Sequence, residues 1–167
     1  MCNKKSLFVP AALILASFLG VSAANAQSCP YTIASLQGNF AVVGNYGANV
    51  AIALAVRHYD GQGNLTGNYT VNEPTAGSTT GARTIASGTQ AGTYTVNCNG
   101  TGQFIRVLTQ ANGTTTTQVD DFVITAATLT WDGLLIATAI VDAQETPSTI
   151  VAGGVFLTRV QTRLPNQ

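Results

Sequence analysis

The stretch that decides the fold covers residues 49–73 and reads NVAIALAVRHYDGQGNLTGNYTVNE. Its first segment, residues 49–60, is apolar at every position from Val50 to Val56, whereas the second, residues 65–73, alternates apolar and polar side chains. The intervening Asp-Gly-Gln-Gly-Asn combines residues that favour tight turns, and Asp60 is expected to cap that turn through the backbone. The pattern predicts two antiparallel strands joined as a hairpin.

Short strand segments separated by Gly or Asn turns continue on both sides of this hairpin, and no segment shows apolar residues at helical spacing. Further strands are predicted at residues 39–45, 83–89, 92–97, 102–110, 114–125, 129–141 (one bent strand or two) and 150–160. Eight or nine strands joined by tight turns predict an all-β fold, a single antiparallel up-and-down barrel, because closure removes the exposed sheet edges. A two-sheet sandwich is the alternative.

Residues 1–26 have the order of a secretory signal peptide: two early lysines, an apolar run over residues 7–21, and a final Ala-Asn-Ala. The apolar run is shorter than the roughly 20 residues that a membrane span needs. We therefore expect a signal-peptide helix that is cleaved between Ala26 and Gln27. The remaining domain, residues 27–167, is expected to be exported to the periplasm or the medium, without a membrane span.

The composition excludes several classes of protein. The 167 residues are 46% hydrophobic and only 8% charged, with a formal net charge of zero. Such a chain is too apolar to be a solvated disordered polymer, and it lacks the basic surface of a nucleic-acid-binding protein. An outer-membrane barrel is also disfavoured, because the aromatic residues do not recur at both ends of the predicted strands.

Two cysteines, Cys29 and Cys98, follow the predicted cleavage site. In an oxidising compartment a lone pair of this kind predicts a disulfide, which would be worth about 4 kcal/mol on the chain-entropy model. Two free thiols, or a lipid anchor on Cys29, are the alternatives. A single histidine and two distant cysteines do not form a zinc site, so no metal and no cofactor is predicted.

Three motifs give the chain a family resemblance: SLQGNF (residues 35–40), YDGQGNLTG (59–67) and GTYTVNCNGTG (92–102). Together they resemble a group of small secreted bacterial proteins of unknown function with lipocalin-like (calycin) or allene-oxide-cyclase-like barrels. The resemblance implies a barrel fold and the recurrence of Cys29 with Cys98. Phe40 stands where lipocalins carry tryptophan.

The orientation of the strand at residues 49–60 determines what the interior can hold. If its Tyr59 face points inward, small alanines leave room for a ligand, and Arg57 can meet an anionic head group. Tyr59, Tyr69 and Arg106 are further candidates for such a ligand-binding lumen. The opposite orientation, which we favour, places in the core the larger aliphatic residues Val50, Ile52, Leu54 and Val56. A strand that is apolar on both faces also fits burial of its outer face in a homo-oligomer.

No catalytic constellation is found in the sequence. His58 is the only histidine and has no evident partner, so we expect it to be solvated. Asp120 and Asp121 point to opposite faces of a strand and cannot form a dyad. One of them could pair inside with Arg106 or Arg57, but two exposed aspartates are the favoured expectation. Trp131 is expected in the core or as a plug, with a place at the barrel mouth as the alternative.

Three functions remain, and catalysis is not expected. The first is a barrel that binds a small apolar or amphipathic molecule in its lumen. The second is a structural or surface-interaction protein. The third is an isomerase resembling allene oxide cyclase, which would need polar groups inside the barrel. An empty apolar lumen would favour binding, and a lumen plugged by aromatic side chains would favour the structural role.

Overall fold

The computed structural model describes residues 29–46, 50–148, 154 and 156–165. The predicted signal peptide and its cleavage between Ala26 and Gln27 lie outside the described residues, as does the first part of the strand predicted at 150–160. None of the helical segments in the described part of the chain is long and apolar enough to cross a membrane.

A closed antiparallel barrel is formed by the eight strands found in the described residues. They are β1 (Gln37–Asn45), β2 (Ile52–Asp60), β3 (Asn64–Pro74), β4 (Arg83–Val96), β5 (Thr101–Gln110), β6 (Thr115–Leu129), β7 (Leu135–Gln144) and β8 (Thr158–Arg163), preceded by the 3-10 helix Ile33–Ser35. Each strand pairs with its successor, and β8 pairs with β1. The predicted up-and-down barrel is therefore confirmed, and the sandwich is excluded.

Three segments depart most from the predicted strands. Residues 83–96 form one strand instead of two, because every residue from Arg83 to Val96 pairs with β3, β5 or both. The segment 129–141 is divided by a turn in which Gly133 has φ of 85°. The last strand is Thr158–Arg163 instead of 150–160, in register with both β1 and β7 where the barrel closes.

The first hairpin forms as its turn chemistry predicts. One carboxylate oxygen of Asp60 accepts hydrogen bonds from the backbone N–H of Gln62 (2.7 Å) and of Asn64 (2.9 Å). The other carboxylate oxygen accepts a 2.6 Å hydrogen bond from the side chain of Asn64. These three bonds, and the side-chain bond most of all, hold the pKa of Asp60 below its usual value. The aspartate thus caps the turn between β2 and β3, as expected.

One half of the barrel interior is filled by a plug of aromatic and aliphatic side chains. The plug consists of Leu36, Phe40, Tyr59, Leu65, Tyr94, Phe104, Phe122, Ile124, Ala137 and Ile140. The Tyr59 ring lies at its centre, with ring centroids 5.3 Å from Phe40 and 5.4 Å from Tyr94 in edge-to-face geometry. This end of the lumen is closed by side chains.

The N-terminal segment covers the plugged end and is tied to it covalently. Cys29 and Cys98 form a disulfide with their Cα atoms 4.7 Å apart, which confirms the predicted pair. The Tyr94 hydroxyl donates a 2.6 Å hydrogen bond to the carbonyl of Leu36, just after the 3-10 helix. Burial raises the pKa of this tyrosine to about 12.

The favoured orientation of β2 is wrong. Ala51, Ala53, Arg57 and Tyr59 point inward, whereas Ile52 and Leu54 are 55% and 58% exposed on the outside. Arg57 enters the charged interior and Tyr59 enters the aromatic plug, and the alternation of the strand then turns Ala53 and Ala55 to the same inner face and the bulkier aliphatic residues outward.

One of these outward residues, Leu54, belongs to an apolar row that crosses four strands. Val141 lies opposite Val160, Val160 opposite Val43, and Val43 opposite Leu54. All four are exposed. The predicted homo-oligomer stays a prediction, and this row is the surface that it would use.

Trp131 does not lie in the core or the plug. It lies in the turn between β6 and β7 and is 99% exposed, so that prediction is wrong. The turn is organised without the indole. The Thr130 hydroxyl donates a hydrogen bond to an oxygen of Asp132 and accepts one of 3.0 Å from the backbone N–H of Leu134.

Candidate functional site: a charged cavity in the barrel

A cavity of about 250 Å³ occupies the half of the lumen that the plug leaves free. The cavity opens at the end of the barrel away from the plug, where Glu73 on β3, Gln110 on β5 and Thr116 on β6 lie. Its walls carry the apolar side chains Val42, Ala53, Ala55, Val71, Ala86, Leu108 and Leu157. At about 30 Å³ for each water-sized group, the volume holds roughly eight non-hydrogen atoms. The ligand that fits is therefore small.

Where the cavity meets the plug, five charged side chains form a cluster that we call the charged floor. It consists of Arg57, Arg106, Asp120, Asp142 and Arg159, each at most 5% exposed. Each comes from a different strand (β2, β5, β6, β7 and β8), so the floor exists only in the closed barrel. The alternation of each strand turns these side chains inward.

Asp120 is held by two arginines. Its two carboxylate oxygens accept hydrogen bonds from Arg106 Nε at 2.5 Å and Nη2 at 3.2 Å, and one of them also accepts from Arg159. Burial opposes the ionisation of this carboxylate, but the hydrogen bonds and charge of Arg106, helped by the charge of Arg159, hold its pKa below the usual value. Asp120 is therefore a carboxylate in the folded protein.

Asp142 has a second set of donors. It accepts hydrogen bonds from Arg57 Nη1 (3.2 Å), Arg159 Nε (2.6 Å) and Gln161 Nε2 (2.5 Å). Since Arg159 donates to both aspartates, it joins the two halves of the floor into one network. Buried carboxylates with several charge-assisted bonds are the form in which such groups are tolerated inside proteins.

Gln90 completes the network on one side only. Its carbonyl oxygen accepts hydrogen bonds from Arg57 Nε at 3.0 Å and Arg106 Nη1 at 3.1 Å. Its amide nitrogen, although the residue is only 3% exposed and lines the cavity, has no hydrogen-bond partner among the described residues. A buried donor without a partner costs about 1–3 kcal/mol. The two guanidinium groups fix the orientation of the amide, because a flipped amide would turn its N–H groups toward them.

The charged floor carries more positive than negative charge. Three arginines face two aspartates, which gives it a net charge of +1 when all are ionised. Burial and the like charges of Arg57 and Arg159 lower the pKa of Arg106 to about 10. At neutral pH Arg106 is still charged, so the site presents an unbalanced cation next to the cavity.

Glycines lie opposite two of these arginines, where the neighbouring strand approaches closely. Gly67 lies opposite Arg57, and Gly92 lies opposite Arg106. A Cβ atom on Gly92 would lie 2.1 Å from the carbonyl oxygen of Ile105 and 2.7 Å from the Cα of Arg106. The close backbone approach at these positions therefore excludes any side chain.

The four predicted lumen residues separate into three environments. Arg57 and Arg106 belong to the charged floor, and Tyr69 is half-buried in the cavity wall. Burial, together with the nearby Glu73 carboxylate, raises the pKa of Tyr69. Tyr59 lies in the plug beneath the floor, where its hydroxyl donates to Gln161 Oε1 at 2.7 Å.

The other candidates are placed as follows. His58 is exposed on the outer face, with Nδ1 3.0 Å from the side-chain oxygen of Asn39, as expected of a solvated histidine. Asp120 and Asp121 point to opposite sides, as predicted, but the expectation that both are exposed is wrong, because Asp120 is buried against Arg106. Only Asp121 faces solvent, since the inner face of β6 is part of the charged floor.

Sequence reasoning missed half of the site. The residues not singled out are Gln90, Gln118, Asp142, Arg159 and Gln161, all of which are buried and polar. A usable signal was present on the last strand, where Arg159 and Gln161 alternate with Thr158, Val160 and Thr162. Polar residues two positions apart on a strand share one face, and in a closed barrel that face can be the interior.

Metal-ligating residues do not gather in the described part of the chain: it contains no group of three or more His, Cys, Asp or Glu side chains that could hold a metal ion. The comparisons add no relative, since no family model, no curated protein and no solved structure matches this sequence. The geometry of the cavity is therefore the basis for assigning a function.

Proposed function

We propose that this is an exported barrel protein that binds a small amphipathic molecule in the unplugged half of its lumen. The observation that carries the proposal is the cavity of about 250 Å³, which has apolar walls and a charged floor. Ligand sites in proteins are concave, mostly apolar and furnished with a few convergent polar groups. Export rests on the leader-like residues 1–26.

The plug and the cavity have different roles within one barrel. Aromatic side chains fill one half and support the fold, so the other half need not be filled by side chains. The small side chains of Ala53 and Ala55 on β2 help to keep the cavity open, because leucines at these positions would fill it. Binding thus requires little rearrangement of the barrel.

The test is to fill the cavity from its wall. Ala55 lies opposite Val42 on β1 and Tyr69 on β3, so the ring of Ala55→Phe enters the cavity. Titration calorimetry with octan-1-ol and octanoate is expected to show binding to the unaltered protein and none to Ala55→Phe. Ala91→Phe, the same substitution on the outer face of β4, is the matched control and should bind as before. Equal binding by both variants would place the ligand outside the cavity.

A second candidate, a surface-interaction role, is favoured by the apolar row of Val141, Val160, Val43 and Leu54 on the outside of the barrel. It predicts concentration-dependent association in sedimentation experiments that Leu54→Asn abolishes. A monomer at every concentration, for the unaltered protein and the variant alike, would leave the row without a self-association role.

A further inference from the structure

We infer that the lumen selects a carboxylate-bearing ligand, bound with its head group on the charged floor and its apolar tail along the alanine-lined wall. This inference rests on the proposed function and adds the chemical class of the ligand. It is carried by two independent features, the excess positive charge of the floor and the unpartnered amide nitrogen of Gln90 beside it.

The excess charge favours an anion. Arg57, Arg106 and Arg159 share two carboxylates, so an incoming carboxylate brings the floor to neutrality. The site excludes much of the solvent, and a charge there interacts more strongly than it would at the surface. A cationic head group would instead raise the net charge at the floor from +1 to +2.

The amide nitrogen of Gln90 requires an acceptor. Because both arginines bind the carbonyl oxygen of Gln90, its N–H groups remain for a group in the cavity that Gln90 lines. A carboxylate offers acceptors only, whereas an ammonium group offers donors only. Arg106 Nη1 lies 3.1 Å from the same Gln90 side chain, so one carboxylate can be reached by an amide and a guanidinium together.

The wall specifies the rest of the ligand. Between the floor and the opening, aliphatic side chains such as Val42, Ala53 and Val71 share the lining with polar ones such as Tyr69 and Thr116, and Glu73 is the acidic group at the opening. Burial raises the pKa of the Glu73 carboxyl, and Arg83 only partly opposes this change. A short aliphatic carboxylate of roughly eight non-hydrogen atoms fills this volume, and a slightly longer one would end at the opening.

The first part of the test compares three probes of equal chain length on the unaltered protein, octanoate, octan-1-ol and octylammonium, by titration calorimetry at neutral pH. Octanoate is expected to bind at least tenfold more tightly than octan-1-ol, and octylammonium most weakly. Equal affinities for the three would overturn the carboxylate assignment while leaving the proposed lumen binding intact. Binding of none of them would overturn the proposed function itself.

The second part of the test changes one group of Gln90, beside the charged floor. Gln90→Glu keeps the oxygen that accepts from Arg57 and Arg106, replaces the donor nitrogen by an acceptor, and cancels the excess charge. Octanoate affinity is expected to fall at least tenfold, whereas octan-1-ol affinity changes less than threefold. Gln62→Glu, an exposed position in the β2–β3 turn at the plugged end, makes the same change in net charge and should alter neither. An octanoate affinity unchanged in Gln90→Glu would contradict the role of this amide.

Discussion

Replacing one buried aspartate by asparagine tests whether the charged floor is a real part of the folded protein. Asp120→Asn keeps the size of the side chain but removes the charge that Arg106 and Arg159 share. The floor would change from +1 to +2, and two buried guanidinium groups would lose their ionic partner. Breaking a buried ion pair in this way costs about 3–5 kcal/mol.

The neighbouring residue supplies the control. Asp121→Asn is the same chemical change one position later on β6, on the exposed outer face, where substitutions usually stay within about 0.5 kcal/mol. At about 3–4 °C per kcal/mol for a domain of this size, Asp120→Asn should lower the melting temperature by roughly 10–20 °C, and Asp121→Asn by no more than about 2 °C.

Urea unfolding followed by circular dichroism gives the free energy of unfolding of both variants directly. Similar values for the two, or a loss below about 1 kcal/mol for Asp120→Asn, would refute the ion-paired floor. The excess charge argued above would then have no structural basis.

Three further predictions use features outside the cavity or the titration of the floor. The folded-state pKa of Asp120 is lowered, so its stabilising contribution is present above about pH 4, the unfolded value, and disappears as the pH falls through the folded value; the unfolding free energies of the unaltered protein and Asp120→Asn should therefore converge in acid. Replacing Cys29 and Cys98 together by serine should cost about 2–5 kcal/mol in chemical denaturation, and no change would show that the disulfide does not stabilise the barrel. Trp131, the single tryptophan, is 99% exposed, so its fluorescence should be that of a solvated indole and fully accessible to iodide; a shielded indole would mean that another surface covers it.

The hairpin from β2 to β3 could be predicted because its signals are local. The turn at Asp60–Asn64 uses a carboxylate cap, and β3 alternates apolar and polar residues on its own. The same holds for the pairing of consecutive strands, which tight turns impose almost regardless of the side chains. The barrel class followed from these short-range features and from the absence of helical periodicity.

The direction in which β2 faces could not be predicted from the strand itself. Both of its faces are apolar, and the usual rule that larger aliphatic residues lie inside favours Ile52 and Leu54 over Ala53 and Ala55. The barrel reverses this rule, because Tyr59 packs in the plug against rings from β1, β4 and β5, Arg57 pairs with Asp142, and the residues that share their face, Ala53 and Ala55, must then point inward as well. That competition is visible only after closure.

The charged floor was only half predictable for a related reason. Arg57 and Arg106 attracted attention as cations on strands, but their counter-ions lie 85 and 14 positions further along the chain. Arg159 reaches the floor only because β8 pairs with β7 and with β1. The pairing of β8 with β1 is the longest-range pairing of the barrel. No local pattern encodes that contact.

The cost of the floor supports reading it as a binding feature. A buried ionic cluster is often no more stable than a well-packed apolar one, because desolvating each charge offsets the attraction between them. The opposite half of this barrel shows that the chain can fill its lumen with aromatic and aliphatic side chains. Yet five of the few charged residues of the protein converge beside an unfilled cavity, with one cation in excess and an amide N–H without a partner. An arrangement that is poor for stability and incomplete in its hydrogen bonds is completed by an anionic ligand, and the octanoate series and the Gln90→Glu variant measure that completion directly.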